Sequence, residues 1–459
     1  MLYPPQLAAI QPALIEQTRR FVFNSEQGTG KSVMSVEVFK YFNNPKTLVV
    51  CPAIVRLDWG VAFDKFNSGA NYAIYRNGKR QQLTKLQQEF FDWAPHADVQ
   101  IVSVDLVDAL VDNQAFGLII LDEIHLYKNP KALRSKQVRS LLERNPQAYV
   151  LGLTGTLAPN DVGDIHNPLD LLWPGRFGNK YAFQHRHQNK KIKIINEQTG
   201  EQRSSFYGLR EDTKEELHFR LSQLSTRVTR GDLAEFLPVF DVNLLKLDIP
   251  KLDMRAARSA AEVENALFLF AHHKTCQVVD WVESTKQTTT HVCVAAHHKE
   301  IAHKLVREIQ KRLPLELVVH VDGDVPVDKR MEMIEAAKQA PSAILVCTIQ
   351  STGLGISLTK FTQAICAEFH WSPGVMEQFL LRFSRLDSMI PSAMWFAMVP
   401  GTIDEVIATR LEEKFRAINP VAGAGLIGGK LESLLKLDED EFLRGITAAA
   451  EALEEGGYV

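Results

Sequence analysis

The sequence predicts an α/β protein of two parallel-sheet lobes, with a small basic β-hairpin inserted in the first and a short helical tail after the second. Three observations predict it. Short apolar runs that are continuous rather than alternating recur between helical stretches, the pattern of parallel strands covered on both faces. The glycine-containing and acidic motifs fall at the carboxyl ends of those runs, where open parallel sheets bind their ligands. The 459 residues exceed what one ordinary core accommodates. The expected partition is a first lobe at 1–240 with its insertion near 165–206, a second lobe at 241–415, and a hinge and tail at 416–459.

Composition narrows the classes further. The chain carries 52 Lys and Arg against 55 Asp and Glu, a net charge of −3, so any nucleic-acid contact must be a local patch. Cys51, Cys276, Cys293, Cys347 and Cys366 form no Cys-x-x-Cys pair and mostly lie in apolar runs, as buried free thiols of a reducing compartment do. The opening residues carry no signal-peptide pattern, and no apolar run is long enough to span a bilayer. A cytoplasmic protein without membrane contact is expected.

The first element is a proline-started helix over residues 2–20, with Gln6 its notable polar residue. A glutamine amide can pair with a donor and an acceptor of an adenine edge. By itself it reads as an ordinary surface residue. Phe21–Phe23 reads as a buried strand that stops at a glycine loop, and Lys31-Ser32 opens a helix with Val33, Val36, Val38 and Phe39 on its apolar face. Strand, glycine loop, Gly-Lys-Ser and helix is the phosphate-binding arrangement. Backbone N–H groups at Gly28, Thr29 and Gly30 would face phosphate oxygens. Lys31 would reach the β/γ-phosphates, and the Ser32 hydroxyl would hold Mg²⁺. Ser25 stands where the full pattern has glycine. Without support elsewhere the stretch equally describes a glycine turn beside a surface lysine.

Lys46–Cys51 is a strand stopped by Pro52, with a helix starting over Ala53–Trp59, and Val99–Val104 is a further strand. Phe116–Leu121 delivers Asp122 and Glu123 at its carboxyl end, and Ala148–Thr154 runs into a Thr-Gly-Thr turn. An Asp-Glu pair after a strand is commonly just a solvated strand end. Beside a phosphate loop, the Asp holds Mg²⁺ together with Ser32, and the Glu orients or deprotonates the attacking water.

With Gly-Lys-Ser, Asp122-Glu-Ile-His125 and Leu153-Thr-Gly-Thr156 in this order, the sequence resembles the superfamily-two helicases and translocases. It is most similar to the Swi/Snf type and, within it, to compact annealing-helicase and phage branch-migration-like members. The resemblance extends over about residues 2–410 and implies two RecA-like lobes. It makes Tyr3-Pro-Pro-Gln6 an adenine-reading motif. It makes Val49–Pro52, Arg56 and Trp59 a DNA-contacting element. Thr154, Gly155 and Thr156, with Asn160, become the motif that couples hydrolysis to DNA movement, although Leu157 takes the usual proline position.

Residues 165–206 break the alternation. Ile192–Asn196, a turn at 197–200 and Glu201–Tyr207 read as a hairpin, and Arg186, Lys190, Lys191 and Lys193 make its surroundings the best basic patch. It is either a solvated hairpin or a DNA-contacting pin. Thr229–Pro238 resembles the segment closing the family's first lobe, with Arg227 and Arg230 facing phosphate.

A second α/β series follows: an edge strand near 241–250, a helix near 254–284, a strand at His291–His298 and a helix at Glu300–Arg312. Adjacent His297 and His298 lack further ligands at a suitable spacing, so no metal site is expected there. Leu317–Gly323 with Arg330 matches the family's Asp-Gly element, and Ala343–Thr348 leads into Ser351–Thr359. By the resemblance, Thr352 and Gly353 face DNA phosphate and Gly355 the nucleotide. Gln378, Arg382 and Arg385 keep the spacing of the last family motif and would share one helix face. Arg385 would be the arginine finger beside Arg382, with Gln378 a coupling residue, although Ser384 and Leu386 depart from the pattern. After a Gly-rich hinge at Val421–Gly429, Leu431–Glu455 is an acidic helical tail that could dock, inhibit, or bind replication or recombination proteins.

The implied protein is a monomeric, DNA-stimulated ATPase that uses ATP and Mg²⁺. It acts as a translocase or helicase on duplex, forked or branched DNA in replication, recombination or repair, and its compactness points to a phage or bacterial setting. Two rivals stand beside it: an ATP-gated binding switch, and a scaffold with a decayed motor, for which Ser25, Leu157 and Ser384 are the hints.

Overall fold

The computed structural model describes residues 2–15, 19–66, 68–75, 94–107, 114–155, 162–196, 201–247, 260–352, 356–370, 373–386, 388 and 390–400. The expected hinge and acidic tail, Thr156, Leu157, Asn160, Gly353 and Gly355 lie outside them. The chain divides into two compact units, Met1–Asp232 and Leu233–Val459.

In the first unit the strands are β1 (Arg20–Asn24), β2 (Thr47–Cys51), β3 (Tyr72–Ile74), β4 (Val99–Ser103), β5 (Leu118–Leu121) and β6 (Tyr149–Thr154). A hairpin of β7 (Asn189–Asn196) and β8 (Glu201–Tyr207) follows, then the short β9 (Ser225–Thr226). Seven of these form one sheet in the order β3-β4-β2-β5-β6-β1-β9, and every pairing in it is parallel. All residues of β2, β4 and β5 are buried, as two covered faces require.

The hairpin forms where expected, antiparallel, with Lys191 opposite Ser205 and Lys193 opposite Arg203. The N-terminal helix is shorter than expected. It spans Pro4–Ile10 and gives way to a 3₁₀ turn at Gln11–Leu14. Pro12 has no N–H to donate, and its ring crowds the preceding turn.

In the second unit β10 (Phe240–Lys246), β11 (His291–Ala296), β12 (Val318–Val321), β13 (Ala343–Thr348), β14 (Gln363–Cys366) and β15 (Ser392–Met398) form a sheet in the order β10-β15-β14-β11-β13-β12. All its pairings are parallel. Alternate residues of β11 enter different cores. Cys293 and Ala295 pack with Leu345 and Phe379 on one face, while Val292, Val294 and Ala296 pack with Leu305 and Val282 on the other. Both units are therefore parallel sheets covered on two faces. Cys51, Cys293, Cys347 and Cys366 are buried free thiols, and Cys276 is exposed. Among the described residues no helix is long and apolar enough to cross a membrane.

Candidate functional site

β1, β5 and β6 end side by side, and their register decides what meets beyond them. Asn24 at the end of β1 pairs with Thr154 at the end of β6, while the Asp122 amide donates to Val50 O of β2 at 2.8 Å. The phosphate loop, the Asp-Glu pair and the Thr-Gly turn thus leave one edge of the sheet together.

Gly28 and Gly30 have φ of 78° and 86°, backbone that glycine adopts at little cost. Gly30 caps the helix Lys31–Tyr41, and a Cβ there would collide with Gln6 Nε2. The helix buries Val33, Val36, Val38 and Phe39, as its periodicity requires. Lys31 Nζ donates to Ser25 O at 2.8 Å and Glu26 O at 3.0 Å, so the lysine head lies in the mouth of the loop. Gln6, 1% exposed, donates through Nε2 to Thr29 O and accepts from Tyr3 N through Oε1. This fixes its side chain on the phosphate loop, and an amide has further donor and acceptor capacity for an adenine edge.

Ser25 has a reason that the sequence does not show. Its hydroxyl accepts from Val228 N at 3.0 Å, while Glu26 N donates to Val228 O. Glu26 Oε2 accepts from Arg230 N at 2.8 Å, and Oε1 pairs with Arg227 at 3.3 Å. The segment closing this unit is therefore laced to the phosphate loop. The expectation that Arg227 and Arg230 face phosphate is corrected: Arg227 is paired with Glu26, and Arg230 is fully buried.

Asp122 and Glu123 follow β5, with Glu123 in the left-handed region at φ 52°, uncommon for a residue with a side chain. His125 Nδ1 lies 3.1 Å from Glu123 Oε2 and 3.1 Å from Thr154 Oγ1. Sequence reasoning had no signal for this bridge between the acidic pair and the Thr-Gly turn. Gly155 stands close enough that a Cβ there would come within 3.8 Å of Lys31 Nζ.

Trp59 overturns its expected role. It is 2% exposed, and its indole N–H donates to Asp122 Oδ2 at 3.0 Å. A buried ring so engaged does not contact DNA. It positions the carboxylate. Burial and then the Glu123 charge push Asp122 up to about 6, against the Trp59 hydrogen bond and Lys31, which lower it. A divalent cation would relieve this buried, repelled carboxylate, so Asp122 fits the role of a Mg²⁺ ligand.

The sign follows for activity. Asp122 must be ionised to hold a cation, so a cation-dependent activity at this site would fall as pH drops through about 6. In Trp59→Phe the ring remains against Phe63, 6.2 Å away, but the donor is lost. The acidic limb of the pH profile is then expected at higher pH, and an unmoved limb means the indole only packs.

The other expected DNA contacts are partly occupied. Arg56 Nε donates to Ala53 O at 2.8 Å and its Nη1 to Tyr75 O. Arg186 is paired with Glu216 at 2.8 Å. Lys190 is exposed, while the side chains of Lys191 and Lys193 lie outside the description. Thr352 is buried with its hydroxyl on Ile349 O, so its side chain does not face a phosphate.

In the second unit the helix Pro373–Leu380 carries Gln378 but ends before both arginines. The expected shared helix face is corrected accordingly. Arg382 is buried and Arg385 half-buried in the turn beyond. Arg382 O accepts from Leu358 N at 2.9 Å, and Arg385 Nη2 donates to Ile356 O at 3.3 Å. The arginine turn is thus bonded to the segment that leaves the Gly-Leu-Gly loop. The strand end carrying His297 and His298 is held by a carboxylate from the neighbouring strand's end. Buried Glu368 accepts both of their amides through Oε2, at 2.9 and 2.7 Å, and bonds His298 Nδ1.

Comparison with known proteins adds the following. The model of the SNF2-related domain matches residues 13–314, well over half of the 459-residue chain. The DNA annealing helicase and endonuclease ZRANB3 of Mus musculus is 24% identical over 486 residues, covering 98% of this chain and 43% of that protein. The SWI/SNF-related matrix-associated actin-dependent regulator of chromatin subfamily A-like protein 1 of Xenopus laevis is 23% identical over 429 residues, covering 88% of this chain and 42% of that protein. The chain thus spans less than half the length of these curated relatives. The Sulfolobus solfataricus SWI2/SNF2 ATPase core in complex with dsDNA aligns over 96% of each chain at 17% identity and a TM-score of 0.41.

Proposed function

The chain belongs to the SNF2-related family, and from that premise we propose that it is a DNA-stimulated ATP hydrolase, working as a translocase or helicase on duplex, forked or branched DNA in replication, recombination or repair. The observation that carries the reading is the convergence of Lys31, Asp122, Glu123 and Thr154 at one edge of the first sheet, with Glu123 and Thr154 joined through His125.

In this reading the N–H groups of Gly28, Thr29 and Gly30 and the Lys31 ammonium bind the phosphates, and Gln6 orients the adenine. Ser32 and Asp122 would hold Mg²⁺, which would supply neutralisation of the phosphate charge. Glu123 takes the proton of the attacking water, and Arg385 with Arg382 is the candidate for the arginine finger that the family resemblance implies. Thr154 senses the outcome through His125, which lies against Glu123. Exposed Lys190 and the rest of the basic hairpin meet the DNA backbone, so binding weakens with salt.

ATP hydrolysis at fixed salt, with no nucleic acid, single strand, duplex, fork and four-way junction, tests the reading. Stimulation by duplex or branched DNA, abolished in Lys31→Ala, is the expected result. A flat, near-zero rate on every nucleic acid overturns it in favour of a switch or scaffold. Substantial turnover in Lys31→Ala shows that the phosphate loop is misassigned.

A further inference from the structure

Away from the nucleotide residues, the second unit assembles His303, His320 and Asp322. His303 comes from the helix Lys299–Arg312, while His320 lies in β12 and Asp322 just beyond it. The ring nitrogens and carboxylate oxygen of the three lie within 4.8 Å of one another. Asp322 Oδ2 is 3.1 Å from His303 Nε2 and 3.7 Å from His320 Nε2. Ligand atoms around a tetrahedral zinc with bonds of 2.0–2.1 Å stand about 3.3 Å apart, so small side-chain shifts suffice.

Two further observations point to a ligand. His320 Nε2 is buried and has no hydrogen-bond partner among the described residues, although it faces the carboxylate. A buried imidazole nitrogen left so is costly unless something occupies the space before it. Asp322, 4% exposed, spends its other oxygen on the Asp324 amide at 2.9 Å, which aims Oδ2 at the two rings as outer-shell bonds aim metal ligands.

We propose that His303, His320 and Asp322 form a binding site for a divalent late transition metal of the zinc class, with a fourth position open to the neighbouring groove. That groove, of about 580 Å³, is lined by His303, His320, Phe268, His272, Glu300 and Lys304 among others. Two imidazoles and one carboxylate suit zinc and its cobalt surrogate better than Mg²⁺, which prefers oxygen donors.

The site would clamp a loop with further connections. Arg330 holds Gly323 O at 3.0 Å and Ser351 O at 3.3 Å, so fixing Asp322 stiffens the path toward the second glycine loop. The test is titration of chelator-treated full-length protein with Co²⁺, read by its visible d–d absorption, then displacement with Zn²⁺. One equivalent with a tetrahedral-type spectrum is expected, accompanied by a rise in Tm. His303→Ala should weaken affinity tenfold or more, and this side chain, 56% exposed, can be removed without disturbing the core. Asp322→Asn should weaken it as well. The proposal is overturned by absence of the spectrum, or by a spectrum and Tm shift unchanged in both variants, since the metal would then sit on other histidines.

Discussion

Arg385→Ala is expected to lower DNA-stimulated ATP turnover by about 10³ to 10⁵-fold, the range that an arginine on a transferring phosphoryl group supplies. The loss should fall on kcat, because the arginine acts on charge that grows as the γ-phosphoryl leaves. ATP affinity, measured by equilibrium binding, should change little. The structure sharpens this expectation. Arg385 donates through its guanidinium to Ile356 O, and the carbonyl of its neighbour Arg382 accepts from Leu358 N, so one side-chain and one main-chain bond tie the turn to the segment Ile356–Leu358. Arg385→Lys tests the geometry. It keeps the charge but lacks the planar fork, and should recover only a small part of the rate. Equal turnover in Arg385→Ala and the parent protein would remove Arg385 from the mechanism.

Glu123→Gln is expected to lower turnover by about 10² to 10⁴-fold, the usual worth of a positioned general base. Glutamine keeps the shape and can still accept from His125, so the Glu123–His125–Thr154 bridge is the feature least disturbed. Nucleotide binding should persist or tighten, because one negative charge leaves the neighbourhood of Asp122. The Asp122 carboxyl, pushed up to about 6 by burial and then by Glu123, should ionise more readily in the variant. Single-turnover hydrolysis in parallel with ATP binding separates the two effects. A variant that binds ATP and hydrolyses it at the parent rate would show that another group activates the water. In the proposed reading DNA is met by the basic hairpin and not by Glu123, so salt-dependent affinity for duplex DNA is expected to be unaltered.

Much of the site could be read from local sequence. Gly28, Gly30, Lys31 and Ser32 declare themselves because a phosphate loop needs left-handed backbone and a helix start within a few residues. Asp122 and Glu123 declare themselves because four consecutive apolar residues specify a buried strand that must end somewhere exposed. Other elements were hidden. β15, Ser392–Met398, is made largely of Ala and Met and lacks the β-branched run that marks its neighbours. It becomes a strand by pairing along β10 and β14. The arginine helix was overextended, since Arg382 N bonds Phe379 O in a turn that spacing cannot distinguish from a further helical turn.

What the sequence determined by itself is the inventory and its order: parallel strands from continuous apolar runs, the phosphate loop, the acidic pair, the Thr-Gly turn and the arginines. Each is set within a dozen residues, by backbone freedom, side-chain size and strand polarity. Only the tertiary structure decided which polar groups share a hydrogen bond. Trp59 reaches Asp122 across 63 positions, and Ser25 reaches Val228 across 203. A buried donor must find an acceptor wherever the packed sheet presents one. That choice depends on strand order and register, which no local stretch of chain encodes. It turned an expected DNA contact into a support for the Asp122 carboxylate, and an irregular glycine loop into one tied to the segment that closes its unit.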